Sequence, residues 1–289
     1  MENPKIVLYK EREFGEVFNV TFAFIKQEFR PLGRAILVFI LPFILIQGIL
    51  GAIIQTSMMG SLKTFNILTD GIGAFYLNMI RQIWPLWILL LVVYTMIFST
   101  IASYLKLYNQ SDEEITIAAL GNEIKKCFFP VLAGSILTGI VVMVGFVFCI
   151  IPGIYLGVSL SVFLIAMVIE QRGIGDAFSR SFQLVQIQWW WTFLLLFVTV
   201  IMMYIVTLVF QVPAMIIGFG SVFHNLQTHT NPMEVFGPVY IIYTSVISAI
   251  QQLLYIVPIF FVAFQYFNLV EIRDKNSLNQ KINAIGQNE

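Results

Sequence analysis

Chemistry in this 289-residue chain would have to come from two histidines, two cysteines, a few charges beside apolar runs and three glutamines within them. His224 and His229, with Glu234 nearby, invite a metal reading. Residues five apart do not share a helix face well, however, and no cysteine or third histidine supports them. A loop is the expected setting, and no metal or cofactor is expected. Cys127 and Cys149 are separated by about 22 residues, roughly 33 Å of helix, too far for a disulfide, so two free thiols are expected. No Ser-His-Asp set, Gly-rich phosphate loop or paired-cysteine motif is legible, so an enzyme is not expected. Glu170, Arg172, Arg180, Lys125 and Lys126 are candidates for holding a lipid head group. The plainer alternative is that a charge ending an apolar run marks the water boundary. Gln47, Gln251 and Gln252 lie inside apolar runs, where they either satisfy one another and backbone freed by Pro42 and Pro258, or line a polar cavity. After the turn at Pro152, Gly153, Gly157 and Ser161 give a small residue every fourth position, which lets a second helix approach closely, within the bundle or between copies of the chain.

The elements that must position these residues are set by composition. The chain is 58% hydrophobic and 11% charged, whereas soluble domains carry about a quarter charged residues. It reads as an all-α polytopic membrane bundle, one domain over residues 1–289. The net charge is zero, so nothing points to nucleic acid. Spans are expected over about 35–55, 83–105, 130–150, 154–169, 189–212 and 236–270. Pro42 lies inside the first and should kink it, freeing the Val38 carbonyl; Pro258 breaks the last. The first 34 residues lack the pattern of a cleavable signal peptide. None of the six cores holds a Lys, Arg, Asp or Glu, which argues against a carboxylate-driven pump.

Between the spans, three stretches have the period of amphipathic helices. The first is residues 12–30, with a stripe of Phe14, Val17, Phe18, Phe22, Ile25 and Phe29. The second is expected to start at about Asp112, capped by Ser111, and to end at Lys125 and Lys126. The third runs from Ile174 to Val185, with Phe178 and Phe182 on the apolar face and Arg180 turned to head groups or water. Trp189, Trp190 and Trp191 then form an interfacial anchor. Phe14-Gly15-Glu16-Val17-Phe18 matches Ile174-Gly175-Asp176-Ala177-Phe178 at an offset of 160, and Lys26 to Pro31 echoes Lys125 to Pro130 at an offset of 99. The implied repeat is surface helix, span, loop, span, in units of about 11–108, 111–170 and 173–270 with a polar tail, 271–289. Of the 16 Lys and Arg residues, 14 fall on one side and only Lys63 and Arg81 on the other. Both termini are therefore expected in the cytoplasm.

Ile151-Pro152-Gly153-Ile154-Tyr155-Leu156-Gly157-Val158, Glu170, Asp176-Ala177-Phe178-Ser179-Arg180-Ser181-Phe182 and the Trp run together resemble the membrane domain of some bacterial glycerophosphodiester phosphodiesterases and the related YciC-like inner-membrane proteins. The likeness covers roughly residues 130–210. It implies a membrane fold and a bacterial inner membrane rather than an activity, since the phosphodiesterase catalytic domain is absent. The expected function is non-enzymatic handling or organisation of lipids or other apolar molecules at the cytoplasmic leaflet. Two alternatives are a membrane scaffold subunit with a protein partner and a small-solute permease using the mid-span glutamines.

Overall fold

The computed structural model describes residues 4–64, 67–111, 113–228 and 238–275, and every regular element among them is helical. Helix α1 spans Phe14–Gln27 and α2 spans Phe29–Ala35, followed by one π turn, Ile36–Ile40, and α3, Leu41–Thr64. Then come α4, Ile67–Gln110; α5, Ile117–Phe148; α6, Ile150–Ser159; α7, Phe163–Ile169; and α8, Ile174–Val185. A 3-10 turn, Gln186–Gln188, leads to α9, Trp189–Thr228, and the chain closes with α10, Pro238–Leu254, and α11, Ile256–Asp274. Among the described residues, six segments are long and apolar enough to cross a membrane. The chain is an all-α polytopic helical membrane protein.

Local chemistry explains the breaks. The π turn comes just before Pro42, whose ring would collide with the Val38 carbonyl in an unbroken α-helix; widening one turn removes the collision. Pro258 acts at its own helix start, where the missing N–H matters least: α10 ends and α11 begins at Ile256, the Tyr255 amide donating to the Gln252 carbonyl. The second surface helix begins later than its capping pattern implies. Ser111 accepts the amide of Glu113, whereas Thr116 caps α5 by accepting from Ala119. From there α5 runs unbroken through Pro130 into the third span, so this surface helix and its span are one rod. The carbonyl that Pro130 leaves unpaired is that of exposed Lys126, where water can serve it. The fourth span is broken between α6 and α7, where Ser161 donates to the Val158 carbonyl.

Contacts divide the chain into two compact units that cut across chain order: residues 1–40, 95–200 and 256–289, and residues 41–94 and 201–255. The whole second repeat, α5 to α7, belongs to the first unit. That unit is built around aromatic side chains, with Phe24, Tyr104, Phe163, Phe260, Phe261, Phe264 and Phe267 fully enclosed. α11 is its most buried helix, every residue from Ala263 to Glu271 being buried. α5 and α6 meet at Cys149 as a hairpin. A Cβ on Gly153 would come within 2.5 Å of the Phe146 ring, and one on Gly145 within 3.0 Å of the Gly153 backbone. Gly157 is under no such constraint, its nearest neighbour lying 3.9 Å away. Close approach in this hairpin therefore depends on Gly145 and Gly153. In the second unit α3 packs against α10, and the Tyr94 and Tyr255 rings meet edge to face.

Burial alternates along the spans. Half of the second and fourth spans is enclosed, against 11%, 17% and 11% of the first, third and fifth, so the odd-numbered spans present their apolar faces outward.

Candidate functional site

The sequence singles out charges beside spans, and the first unit gathers most of them into a network. Arg180, expected to face head groups, lies on the buried face of α8 with Ala177, Ser181, Leu184 and Val185, and is 8% exposed. A cation that deep requires partners. Its Nε donates to both Glu170 oxygens, at 3.0 and 3.2 Å, and its terminal nitrogens reach Asp274 at the end of α11. Glu170 also accepts from the Tyr266 hydroxyl at 2.9 Å and from Arg172. Burial, aided by the Glu170 charge, pushes the nearby Tyr9 hydroxyl up to about 12, so it stays protonated. Three of the five Arg180 N–H donors are thus occupied in joining the end of α7, helix α8 and the end of α11. Phe178 and Phe182 are half-buried and pack on each other, and Phe178 lies edge-on to Phe163.

The N-terminal arm before α1, which the sequence marked only as polar, is tied into the same unit. The Arg12 guanidinium donates to the carbonyls of Leu8, Lys10 and Val7, and the Arg12 amide donates to Asn268 at 2.8 Å. Asn268 in turn donates to Gln265, and Gln265 to Thr192 at 3.0 Å. Their polar heads interrupt an apolar run that the sequence pattern assigned wholly to a membrane span.

Of the basic candidates, Lys126 and Arg172 come together. Both are exposed, at 68% and 44% of the side chain, and both border a cavity of about 180 Å³ floored by Cys127, Pro130, Met167 and Val168. Lys126 pairs with Glu123, which also holds the buried Lys106 at 2.5 Å. Lys125 is exposed. Neither cysteine is in a disulfide. Helix α9 runs through position 224, whereas His229 and Glu234 lie outside the described residues. No cluster of metal-ligating side chains occurs among the described residues.

A second site is in the second unit. Gln47 on α3 and Gln251 and Gln252 on α10, the mid-span amides expected either to satisfy one another and freed backbone or to line a polar cavity, line one cavity of about 610 Å³. α4 contributes Ile83, Leu86, Trp87 and Leu90, and α9 contributes Gln211 and Ala214. The described lining residues include no charged side chain. Three carboxamide atoms there are buried without any partner: Gln47 Oε1, Gln252 Oε1 and Gln251 Nε2. Gln252 as a whole is only 7% exposed, and its Nε2 donates to the Ser248 carbonyl. The hydroxyls around it have spent their protons on backbone, Tyr243 on Phe210 at 2.9 Å, Thr244 on Tyr240 at 2.9 Å and Ser248 on Ser245 at 2.8 Å. An orphan carboxamide atom costs about 1–3 kcal/mol, so three on one cavity wall are an unpaid debt that a bound molecule or water would settle.

The sequence located the three glutamines and left open whether they satisfy one another or line a cavity; the pairing of α3 with α10 brings them to one cavity. Gln211 and Tyr243 gave no separate signal. Neither a protein-family model, nor a curated protein, nor a solved structure matches this chain.

Proposed function

We propose that this integral membrane protein is a non-enzymatic handler of lipids or other apolar molecules, which it binds by a polar end in the amide-lined cavity of the second unit. The observation that carries the reading is the set of three unpartnered carboxamide atoms in a cavity whose walls are otherwise mostly apolar. A site of several hundred cubic ångströms with apolar walls and a few convergent polar groups suits a small amphiphile.

A second lipid contact is favoured by a separate observation. The cations Lys126 and Arg172, paired with Glu123 and Glu170 but exposed, border one depression, an arrangement that suits an anionic head group approaching from water. The basic bias puts this depression and both termini on the cytoplasmic side of a bacterial inner membrane. The three-unit repeat belongs to the same proposal. It is supported by the alternation of exposed and enclosed spans and by the pairs Val17 and Ala177, Thr21 and Ser181, and Phe24 and Leu184, which share burial at an offset of 160. Kinship with the membrane-domain proteins rests on the motifs of residues 151–191 alone.

Purification in a mild detergent tests the reading against its rivals. The full chain is expected to elute with about one tightly held amphiphile per protein. A stoichiometric protein partner without lipid would favour a scaffold subunit, and solute flux in liposomes a permease.

A further inference from the structure

Resting on the second lipid contact proposed above, we propose that the depression lined by α4, α5 and the end of α7 is a phosphate-binding site anchored by the buried ammonium of Lys106. Lys106 lines the depression from α4 and is 6% exposed. An ammonium has three N–H donors and no acceptor. Among the described residues one of the three is used, on Glu123 at 2.5 Å. The other two are without a partner there, in a side chain too enclosed for bulk water to serve it freely. Lys126 and Arg172 border the same depression. Lys126 gives one donor to Glu123 and Arg172 gives its Nε to Glu170, so both terminal nitrogens of Arg172 are also open among the described residues. The turn that carries Gln171 and Arg172 to the depression has Gln171 at φ 53°, a left-handed backbone that non-glycine residues seldom adopt.

The lining holds three cations and one carboxylate. Glu170 offsets Arg172 only in part, because it also accepts from Arg180 through both oxygens. The depression therefore has positive charge and N–H donors in excess, and what complements it is an anion with several acceptors and no donors. Phosphate has that chemistry. Its oxygens diverge tetrahedrally, so one group can meet the enclosed Lys106 and the exposed Lys126 and Arg172 together, with the guanidinium fork suited to two of the oxygens. A carboxylate offers two oxygens in one plane, and an ammonium head brings donors where donors are already in surplus. Glu123 holds both lysines at 2.5 Å, so the anion adds to these pairs instead of replacing them. At about 180 Å³ the depression is smaller than sites that enclose a whole ligand. It takes the phosphate and leaves outside whatever the phosphate is attached to, so phospholipid and soluble phosphate are the two sources to separate.

The test uses the full chain in an uncharged maltoside detergent and a phosphate-free buffer. The probes are dioctanoyl phosphatidate, dioctanoylglycerol, which has the same chains without the phosphate, and inorganic phosphate. Native mass spectrometry reads the two lipids and isothermal titration calorimetry the phosphate. Phosphatidate is expected to bind about tenfold or more tightly than dioctanoylglycerol, and Lys106→Met to lose about tenfold or more of that affinity, the ordinary weight of one charge-assisted hydrogen bond. Binding of dioctanoylglycerol should not change in the variant. Arg172→Gln, which alters an exposed side chain, is expected to weaken phosphatidate severalfold and gives a second reading should the methionine variant melt early. Lys125→Met removes a neighbouring exposed cation outside the lining and is expected to change the affinity by less than about twofold, since its field is screened. Equal losses for Lys125→Met and Lys106→Met would reduce the attraction to diffuse positive charge and overturn the inference. So would equal binding of phosphatidate and dioctanoylglycerol, or wild-type binding of phosphatidate by both Lys106→Met and Arg172→Gln. Inorganic phosphate bound as tightly as phosphatidate, with the same dependence on Lys106, would uphold the phosphate site and overturn its lipid source. Endogenous lipid in the amide-lined cavity is read in the same spectra and should survive Lys106→Met, so failure of the phosphate site and failure of lipid handling are told apart.

Discussion

Arg180→Ala is expected to destabilise the folded protein by about 3–5 kcal/mol, the usual consequence of removing one partner from a buried ion pair. The penalty falls mainly on Glu170. Its side chain is 15% exposed, against 32% for Asp274, which can return partly to water. Without the guanidinium, Glu170 keeps the Tyr266 hydroxyl and the exposed Arg172, neither of which replaces two charge-assisted bonds from a buried fork. Thermal unfolding in detergent, followed by the loss of the monodisperse peak on size exclusion, reads this directly. Arg180→Lys should recover only part of the loss, since one ammonium cannot span Glu170 and Asp274. An alanine variant that melts with the wild type would mean that Arg180 is solvated and that the network does not hold α7, α8 and α11 together.

Glu123→Ala is expected to cost a comparable amount, about 3 kcal/mol or more, because it leaves the buried Lys106 ammonium without its carboxylate. Lys106 is 6% exposed. The reverse change, Lys106→Met, should cost much less. Methionine keeps the aliphatic stem packed, and Glu123 retains Lys126 at 2.5 Å on its solvent side. The asymmetry is the informative part. Equal costs for the two variants, measured by the same melt, would show that Lys106 reaches water. Two small costs would place the pair with surface ion pairs, which are worth about 0–1 kcal/mol.

These two pairs also show where sequence reading stops. The six spans were legible because each is a long apolar run with no Lys, Arg, Asp or Glu inside it. Arg180 was assigned to the polar face of α8 because it falls, with Asp176, Ser179, Gln183 and Gln186, between the apolar positions. Its burial depends on Asp274, 94 residues further along the chain, and no local period encodes such a partner. The same limit applies to Lys106 and Glu123. Gly153 was visible through its spacing to Gly157, but the residue it presses against is Gly145 on the preceding helix, and Gly157 has room to spare. The capping pattern at Ser111 was genuine as a hydrogen-bonding unit. It caps a turn instead of a helix, because Thr116 offers a cap nearer the apolar run. The glutamines were legible as exceptions within apolar runs, since an amide in a span needs a reason. That Gln47 and the Gln251–Gln252 pair share a cavity follows from the packing of α3 on α10, which is a property of the tertiary fold.

Photolabelling in the native membrane tests the central claim, that the second unit binds an amphiphile inside its amide-lined cavity. Cells fed a fatty acid carrying a mid-chain diazirine would incorporate it into their lipids and be irradiated, and the protein's adducts mapped by peptide mass spectrometry. The account predicts adducts on the cavity-lining residues Ile54, Met58, Leu86 and Ile247, diminished in the protein carrying Gln47→Leu, Gln251→Leu and Gln252→Leu. Adducts confined to outward-facing residues such as Ile49, Ile53 and Val209, and unchanged by those substitutions, would reduce the protein's lipid contacts to ordinary solvation by the bilayer and contradict it.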